Sequence, residues 1–156
     1  MIPHTGIYDM PSELYFQSQI VSTVNKQMGG YAHKLTNAYI SGIPDLLIQL
    51  PQTPTVLVEI KQQLLLPGTK LVNVELTPLQ KIKLGGFIKA GGSGGWAMIA
   101  HKKDGSKHIF ASNNLDKLKY SIEEYMEDCF HMARSESWTT ATAYITQKLR
   151  VPEGWL

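Results

Sequence analysis

The sequence lacks the features that mark secreted and membrane-spanning proteins. It contains one cysteine in 156 residues, so no disulfide can form within the chain. A lone cysteine is typical of a reducing compartment, and we interpret Cys129 as a small, partly buried apolar residue. No run approaches the roughly 18 apolar residues that a membrane-spanning helix needs, and Met1 to Thr5 has neither the basic start nor the apolar stretch of a secretion signal. We therefore expect a cytoplasmic protein with no membrane partner.

The chain also has little net charge. Fifteen Lys and Arg residues against 13 Asp and Glu residues give +2. This value is compatible with nucleic acid but does not point to it, because phosphate binding depends on local patches rather than on totals. The 43% of hydrophobic and 18% of charged residues argue against a disordered chain. The length matches one domain, so we predict a single domain over residues 1–156, with a core at about 12–112 and a C-terminal helical extension at about 113–156.

Hydrophobic periodicity and turn residues predict the order of the elements. Ser12 and Thr77 are expected helix N-caps, and Pro78 favours a first helical position. The Gly91–Gly95 cluster does not follow a strand and open a helix, so we interpret it as a turn rather than a phosphate-binding loop. Residues 62–75 are either a long arm or an extra hairpin. The predicted elements are a helix at 12–28, strands at 31–35, 43–50 and 55–61 with a polar link through Asn37, a helix at 77–90, strands at 96–100 and 107–111, and helices at 115–133 and 137–149. This order indicates an α/β fold whose central sheet is flanked by helices.

The chemistry is concentrated around two of these strands. Side chains alternate along a strand, so Glu59 and Lys61 share one face and Ile60 lies on the other, which we expect to be core. If the strands at 43–50 and 55–61 form an antiparallel hairpin, Asp45 and Glu59 converge. Paired carboxylates repel unless a cation offsets their charge, and Mg²⁺ prefers such oxygen ligands. With Lys61 beside a metal-bound water, the set suits phosphodiester hydrolysis. An isolated Glu-x-Lys, in contrast, is usually the solvated face of an edge strand.

The wider pattern resembles a known family of nucleases. Ser41-Gly42-Ile43-Pro44-Asp45-Leu46-Leu47-Ile48 followed by Val58-Glu59-Ile60-Lys61 resembles the PD-(D/E)xK nuclease superfamily. Within it, the VRR-NUC branch has a Gly-x-Pro-Asp strand before a Glu-x-Lys strand. The resemblance covers about residues 13–100 and implies a restriction-endonuclease-like αβββαβ core with a mixed sheet and extra C-terminal helices. The long connection between Lys61 and Leu76, and the residues after Ala111, have no counterpart in that pattern.

The resemblance implies roles for five residues and one backbone carbonyl. Asp45, Glu59 and the carbonyl of Ile60 would bind Mg²⁺ or Mn²⁺, and Lys61 would be the catalytic lysine. Glu13 would reach the metal directly or through water, although an exposed first-turn Glu is also favoured by the helix dipole alone. Gln80, at the end of Leu76-Thr77-Pro78-Leu79-Gln80, would steer Lys61, a metal-bound water or the DNA phosphate. The alternative interpretation is that Gln80 is an ordinary polar residue in the first turn of a helix.

Further basic residues are candidates for DNA contact. His33 and Lys34 precede the Pro-Asp strand, and Lys102 and Lys103 belong to a basic turn. Beside a nuclease site we expect these four residues to contact phosphates, although most such turns are merely solvated. The five histidines show no metal-ligand spacing.

Together these features favour a metal-dependent DNA endonuclease. The resemblance implies structure-specific cleavage of branched DNA or Holliday junctions, as in resolvases. Because a junction has two strands to cut, this function favours a twofold homodimer. Small nucleases of this kind are often encoded by phages, so we also expect this protein to be phage-encoded. The alternatives are a restriction- or repair-type nuclease on linear or single-stranded DNA, an inactive nucleic-acid-binding module of the same fold, and a structural assembly factor.

Overall fold

The structure, a computed structural model, describes residues 11–35 and 41–150, and we number its elements in chain order. The polar link predicted through Asn37 lies outside the described residues. The helices are α1 (Glu13–Gln27), α2 (Pro78–Lys89), α3 (Ile122–Asp128) and α4 (Trp138–Leu149). The strands are β1 (Tyr31–Lys34), β2 (Leu46–Gln49), β3 (Val56–Leu64), β4 (Leu71–Asn73), β5 (Ser93–His101), β6 (Lys107–Ser112), β7 (Lys119–Ser121) and β8 (Phe130–Met132).

Six of the strands form one mixed sheet in the order β1-β2-β3-β5-β6-β8. Only β3 and β5 pair in parallel, and the other four neighbouring pairs are antiparallel. Parallel neighbours need a crossover connection, which β4 and α2 supply here. The predicted order of a helix, three strands, a helix and a strand is therefore confirmed, with β4 inserted before α2. The predicted α/β class with a mixed central sheet flanked by helices is also confirmed.

Apolar residues cover both faces of this sheet. On one face, α1 and α4 pack over Val56, Val58 and Ile60 of β3. On the other face, Trp96 and Met98 of β5 belong to a second cluster, which includes residues of β4, β7 and α3. The strand alternation predicted for β3 is thus correct: one face is core, and the opposite face carries Glu59 and Lys61.

Residues 62–75 extend the core instead of projecting as an arm. The strand β3 continues three residues past Lys61 to Leu64, and the chain then turns back into β4. The side chain of Gln63 connects the two segments, because its amide donates to the carbonyl of Leu71 and accepts from the N–H of Asn73. The strand β4 itself pairs with β7 in a separate two-stranded sheet.

The helix predicted at 115–133 is wrong. Only Ile122–Asp128 is helical there, and the strands β7 and β8 flank this seven-residue helix. Long-range pairing explains the difference, since β8 adds to the edge of β6 and β7 to β4. The segment predicted as a helical extension at about 113–156 therefore contributes a strand to the central sheet, whereas the helix predicted at 137–149 is present as α4.

The glycine cluster has a packing function as well as a turn function. Gly91 has a φ of +99° and ends the helical segment, but β5 begins at Ser93, within the cluster. A Cβ at Gly95 would lie 2.2 Å from the carbonyl oxygen of Ser112, and one at Gly94 would lie 2.7 Å from that of Leu57. The two glycines therefore allow β5 to lie between β3 and β6 without a clash.

We expect Gly95→Ala to lower the free energy of unfolding by about 2–3 kcal/mol, the usual upper range for overpacking a core. Gly86→Ala is the matched control, because Gly86 lies in α2 and a Cβ at this position would meet no described atom within 4 Å. The control should be neutral or stabilising by up to about 1 kcal/mol. Urea denaturation measures both variants, and equal stability of the two would contradict the packing assigned to Gly95.

Candidate active site

The hairpin of β2 and β3 brings the two predicted carboxylates together. In the antiparallel register Leu46 lies opposite Val58, and continuing it by one residue places Asp45 opposite Glu59. Asp45 is fixed there because its Oδ2 accepts a hydrogen bond of 2.8 Å from the backbone N–H of Ile60. The peptide between Glu59 and Ile60 therefore joins the two halves of the motif.

Gly42 shows why a glycine precedes the Pro-Asp pair. Its φ is +84°, a backbone conformation that L side chains rarely adopt. A Cβ there would lie 2.8 Å from Cγ of Leu79 and 2.9 Å from the carbonyl oxygen of the same residue. The loop before β2 can therefore lie directly against the first turn of α2, the turn that carries Gln80.

Gln80 is held in place by the N-terminus of its own helix. Its Oε1 accepts a hydrogen bond of 2.9 Å from the backbone N–H of Thr77, while the Thr77 hydroxyl accepts from the N–H of Gln80 in the reciprocal capping-box arrangement. Its Nε2 donates to Oε2 of Glu59 at 3.1 Å. The capping box therefore orients an amide towards the buried carboxylate.

Lys61 completes this group of side chains. Its Nζ lies 3.6 Å from Oε2 of Glu59 and 3.5 Å from Oε1 of Gln80. The side chain of Lys61 is 15% exposed and that of Glu59 is 4% exposed. The Lys61 side chain is therefore largely removed from water.

The environment of Glu59 disfavours its ionised form. Burial, followed by the charge of Asp45, raises the pKa of Glu59 from 4.5 to about 8, although the Lys61 ammonium opposes the shift. Among the described residues no group forms a hydrogen bond with its buried Oε1. A buried carboxylate oxygen without a partner is costly. The two carboxyl groups can avoid this cost by sharing a proton, in the side-chain hydrogen bond with Asp45 that also raises the pKa of Glu59, or by binding a cation.

The carboxylate oxygens of Asp45 and Glu59 fit a hard divalent cation. The unpartnered Oε1 of Glu59 is the structural observation that supports this fit. Mg²⁺ and Mn²⁺ prefer carboxylate and carbonyl oxygens. A cation beside Asp45 and Glu59 would offset both the burial and the repulsion that raise the pKa of Glu59.

Glu13 lies close enough to this group to interact with it. Burial raises the pKa of Glu13, with Lys61 opposing the shift and Asp45 adding to it. Glu13 and Lys61 line a cavity of about 270 Å³ together with Asn73 and Glu75. Sequence reasoning did not identify Glu75 as a site residue, because residues 62–75 carried no recognisable motif. Its position depends on β4, whose partner strand β7 lies more than 40 residues further along the chain.

The structure places the four predicted DNA contacts in two separate groups. Lys34 and His33 line a groove of about 640 Å³ between α1 and β1. Lys34 is at the end nearest the carboxylates, because the residue after it, Leu35, donates its N–H to the carbonyl of Asp45. Lys102 and Lys103 instead line an apolar cavity of about 550 Å³ after the end of β5.

Comparison with known proteins supports the fold. No known family profile matches the sequence, and no curated protein matches it. The chain folds as a restriction-endonuclease-like α/β protein. A solved structure with a similar fold is Hjc, a Holliday junction resolvase from the archaeal hyperthermophile Archaeoglobus fulgidus. The TM-score is 0.50 at 14% sequence identity, and the match covers 83% of this chain and 96% of the resolvase.

Within the described residues no helix is long and apolar enough to cross a lipid bilayer.

Without metal, we expect the protein to lose stability as pH rises. The unfolded chain releases the Glu59 proton near pH 4.5, whereas the folded protein holds it up to about pH 8. The folded state therefore binds more protons in this window, and the free energy of unfolding falls across it. Because one pKa unit corresponds to about 1.4 kcal/mol, the loss should amount to a few kcal/mol.

Glu59→Gln isolates this contribution, because the amide keeps the shape of the side chain and does not titrate. Urea denaturation in EDTA at pH 5.5 and pH 8 should show a smaller loss for the variant than for the wild type. Equal losses would mean that Glu59 is not the group responsible.

Proposed function

We propose that the chain is a metal-dependent DNA endonuclease whose active site is formed by Asp45, Glu59 and Lys61. The observation that carries the proposal is the buried Glu59 carboxylate, which has an unpartnered oxygen, next to Asp45 and 3.6 Å from the Lys61 ammonium. A Glu-Lys pair on the solvated face of an edge strand would be exposed, and it would need no second carboxylate beside it. The shared fold with a resolvase supports the same conclusion.

Asp45, Glu59 and the carbonyl of Ile60 are the proposed metal ligands, with Glu13 as an additional carboxylate. A bound Mg²⁺ or Mn²⁺ ion would polarise the phosphoryl group and lower the pKa of a water molecule. Hydrolysis at this site would add a water oxygen to phosphorus, with one proton of the water passing to solvent. The bond from phosphorus to the sugar oxygen would break with its electron pair on that oxygen, which would then take a proton from solvent.

Lys61 acts on the reacting atoms directly. From its position on the same strand face as Glu59, its ammonium holds the attacking water and offsets negative charge on the pentavalent phosphate. Electrostatic stabilisation of this kind is strongest where water is excluded, as it is around a lysine side chain that is 15% exposed. Gln80 is a positioning residue, because it contacts both Glu59 and Lys61 through one amide.

The DNA contact surface is proposed to begin at the groove between α1 and β1. Lys26 and Lys34 line this groove, and none of the described residues that line it is acidic. The exposed rings of Tyr31 and His33 on the edge strand β1 are nearly parallel, with centroids 6.4 Å apart. Lysines position phosphates and aromatic rings stack on bases, so a DNA strand leaving the carboxylates fits here. Lys102 and Lys103 are proposed as further phosphate contacts.

Branched DNA, in particular a Holliday junction, is the proposed substrate. The fold likeness to a resolvase supports it, and two opposed cuts imply a twofold homodimer. The Gly-x-Pro-Asp and Glu-x-Lys strands together with Gln80 support a place in the VRR-NUC branch of the PD-(D/E)xK nucleases. An intact set of Asp45, Glu59 and Lys61 argues against an inactive binding module. The single-domain organisation, the cytoplasmic location and the phage origin stay predictions.

Lys61→Ala should separate chemistry from metal binding. Because Lys61 stabilises the reacting phosphate and is not a ligand, its loss should slow single-turnover DNA cleavage at least about a hundredfold, while Mn²⁺ still binds in calorimetric titration. Asp45→Asn should lose both Mn²⁺ binding and cleavage.

The matched control is Lys89→Ala, which removes an exposed lysine at the C-terminal end of α2 and should leave cleavage unchanged. Circular dichroism confirms that each variant is folded. Cleavage by folded Lys61→Ala or Asp45→Asn at the wild-type rate would refute the assigned roles.

Lys34→Ala should weaken DNA binding and leave the chemical step intact. Loss of one phosphate contact reduces the slope of log affinity against log salt by about one, and single-turnover cleavage at saturating DNA should stay within about twofold of the wild type. Fluorescence anisotropy across a salt series measures the slope. Lys119→Ala, at an exposed position on β7, serves as the control, and an identical slope for both variants would place the DNA elsewhere.

A further inference from the structure

We propose that His108, Cys129 and His131 form a second metal site, which takes a zinc-class divalent cation. These residues lie at the edge of the central sheet formed by β6 and β8, and β5 and β6 separate β8 from the strand that carries Glu59. The site is thus distinct from the carboxylate site, and it does not depend on the proposed nuclease activity.

Strand pairing brings the three side chains to one face. His108 of β6 lies directly opposite His131 of β8 in the antiparallel register. Cys129 lies two residues before His131, a spacing that places both side chains on the same face of an extended segment. No local spacing in the sequence reveals this set, because it depends on a strand where the sequence favoured a helix.

The separations of the candidate ligand atoms are close to those of a zinc site. One ligand atom from each residue can be chosen so that all three lie within 4.8 Å of one another. Sγ of Cys129 lies 3.7 Å from Nε2 of His131. Bond lengths to zinc of about 2.3 Å for sulfur and 2.0–2.1 Å for nitrogen imply tetrahedral edges of roughly 3.4–3.6 Å. Cys129 and His131 already match such an edge.

The two imidazoles must move apart slightly to admit an ion. Nδ1 of His108 lies 2.7 Å from Nδ1 of His131, so this hydrogen bond must break before Nδ1 of His108 can share an ion with Nε2 of His131 and Sγ of Cys129. Because His131 is exposed on an edge strand, its ring has room to rotate. His108, in contrast, is 9% exposed, and its buried Nε2 has no hydrogen-bond partner among the described residues. His108 is therefore the fixed ligand, and His131 is the one that would rotate.

The ligand types determine which ion fits. Imidazole nitrogen and thiolate sulfur favour Zn²⁺ over Mg²⁺, whereas the carboxylates around Glu59 have the opposite preference. Binding forms a bond from the metal to sulfur and releases the thiol proton of Cys129 to solvent, so no oxidant or reductant is required. Three protein ligands leave a fourth position for water. The ion would join β8 and the end of α3 to β6.

Cobalt titration tests the site, because a cysteine thiolate bound to Co²⁺ gives a charge-transfer absorption band that oxygen ligands do not give. The experiment uses full-length Asp45→Asn protein, in which the proposed carboxylate site is disabled. We expect the band to saturate at one equivalent of Co²⁺, to disappear on addition of Zn²⁺, and to be absent in the additional variant Cys129→Ser. Zn²⁺ should also raise the midpoint of thermal unfolding of the parent protein.

His131→Ala and His33→Ala form a matched pair that guards against misfolding of the cysteine variant. Both remove an exposed histidine from an edge strand, but only His131 is a proposed ligand. His131→Ala should weaken Co²⁺ binding at least about tenfold, and His33→Ala should leave it unchanged. Absence of the charge-transfer band in the parent protein, or equal affinities for the two histidine variants, would overturn the proposal.

Discussion

The burial of one carboxylate beside another is the constraint on which the rest of the site depends. Glu59 is 3% exposed, and burial together with the neighbouring Asp45 raises its pKa to about 8. A protein gains no stability from such a pair unless something else binds there. We therefore interpret the hairpin register that places Asp45 opposite Glu59 as part of the proposed cation site rather than as packing.

Several elements of the fold maintain this unfavourable arrangement. The peptide N–H of Ile60 fixes Asp45, and the capping box of α2 directs the Gln80 amide to Glu59. Gly42 allows the loop before β2 to reach that helix end. These contacts come from the backbone or from a neutral amide, so they orient the carboxylates without cancelling their charge. The Lys61 ammonium offsets only part of the repulsion between the carboxylates, since the pKa of Glu59 is still raised to about 8.

The sequence predicted what depends on local geometry. The alternation of side chains along a strand placed Glu59 and Lys61 on one face, and the short connection between two strands predicted the hairpin that brings Asp45 to Glu59. Thr77 and Pro78 predicted the start of α2 and thus the position of Gln80. Each of these inferences needs only neighbouring residues or one tight connection.

What the sequence did not predict depends on contacts between distant segments. The strand β8 exists because β6 offers an edge to pair with, and the isolated segment has the composition of a helix. Glu75 reaches the site cavity through β4, which pairs with β7. His108, Cys129 and His131 meet only through the same kind of long-range pairing. At β7 and β8, local helical propensity is overridden by the pairing of backbone groups with another strand.

Cleavage of a labelled four-way junction, in parallel with a linear duplex of the same sequence, tests the central claim most directly. With wild-type protein, we expect cleavage of the junction in Mg²⁺ and none in EDTA, with the linear duplex cut more slowly. No cleavage of either DNA in Mg²⁺ or Mn²⁺, or cleavage that persists unchanged in EDTA, would contradict the assignment of Asp45, Glu59 and Lys61 as a metal-dependent nuclease site.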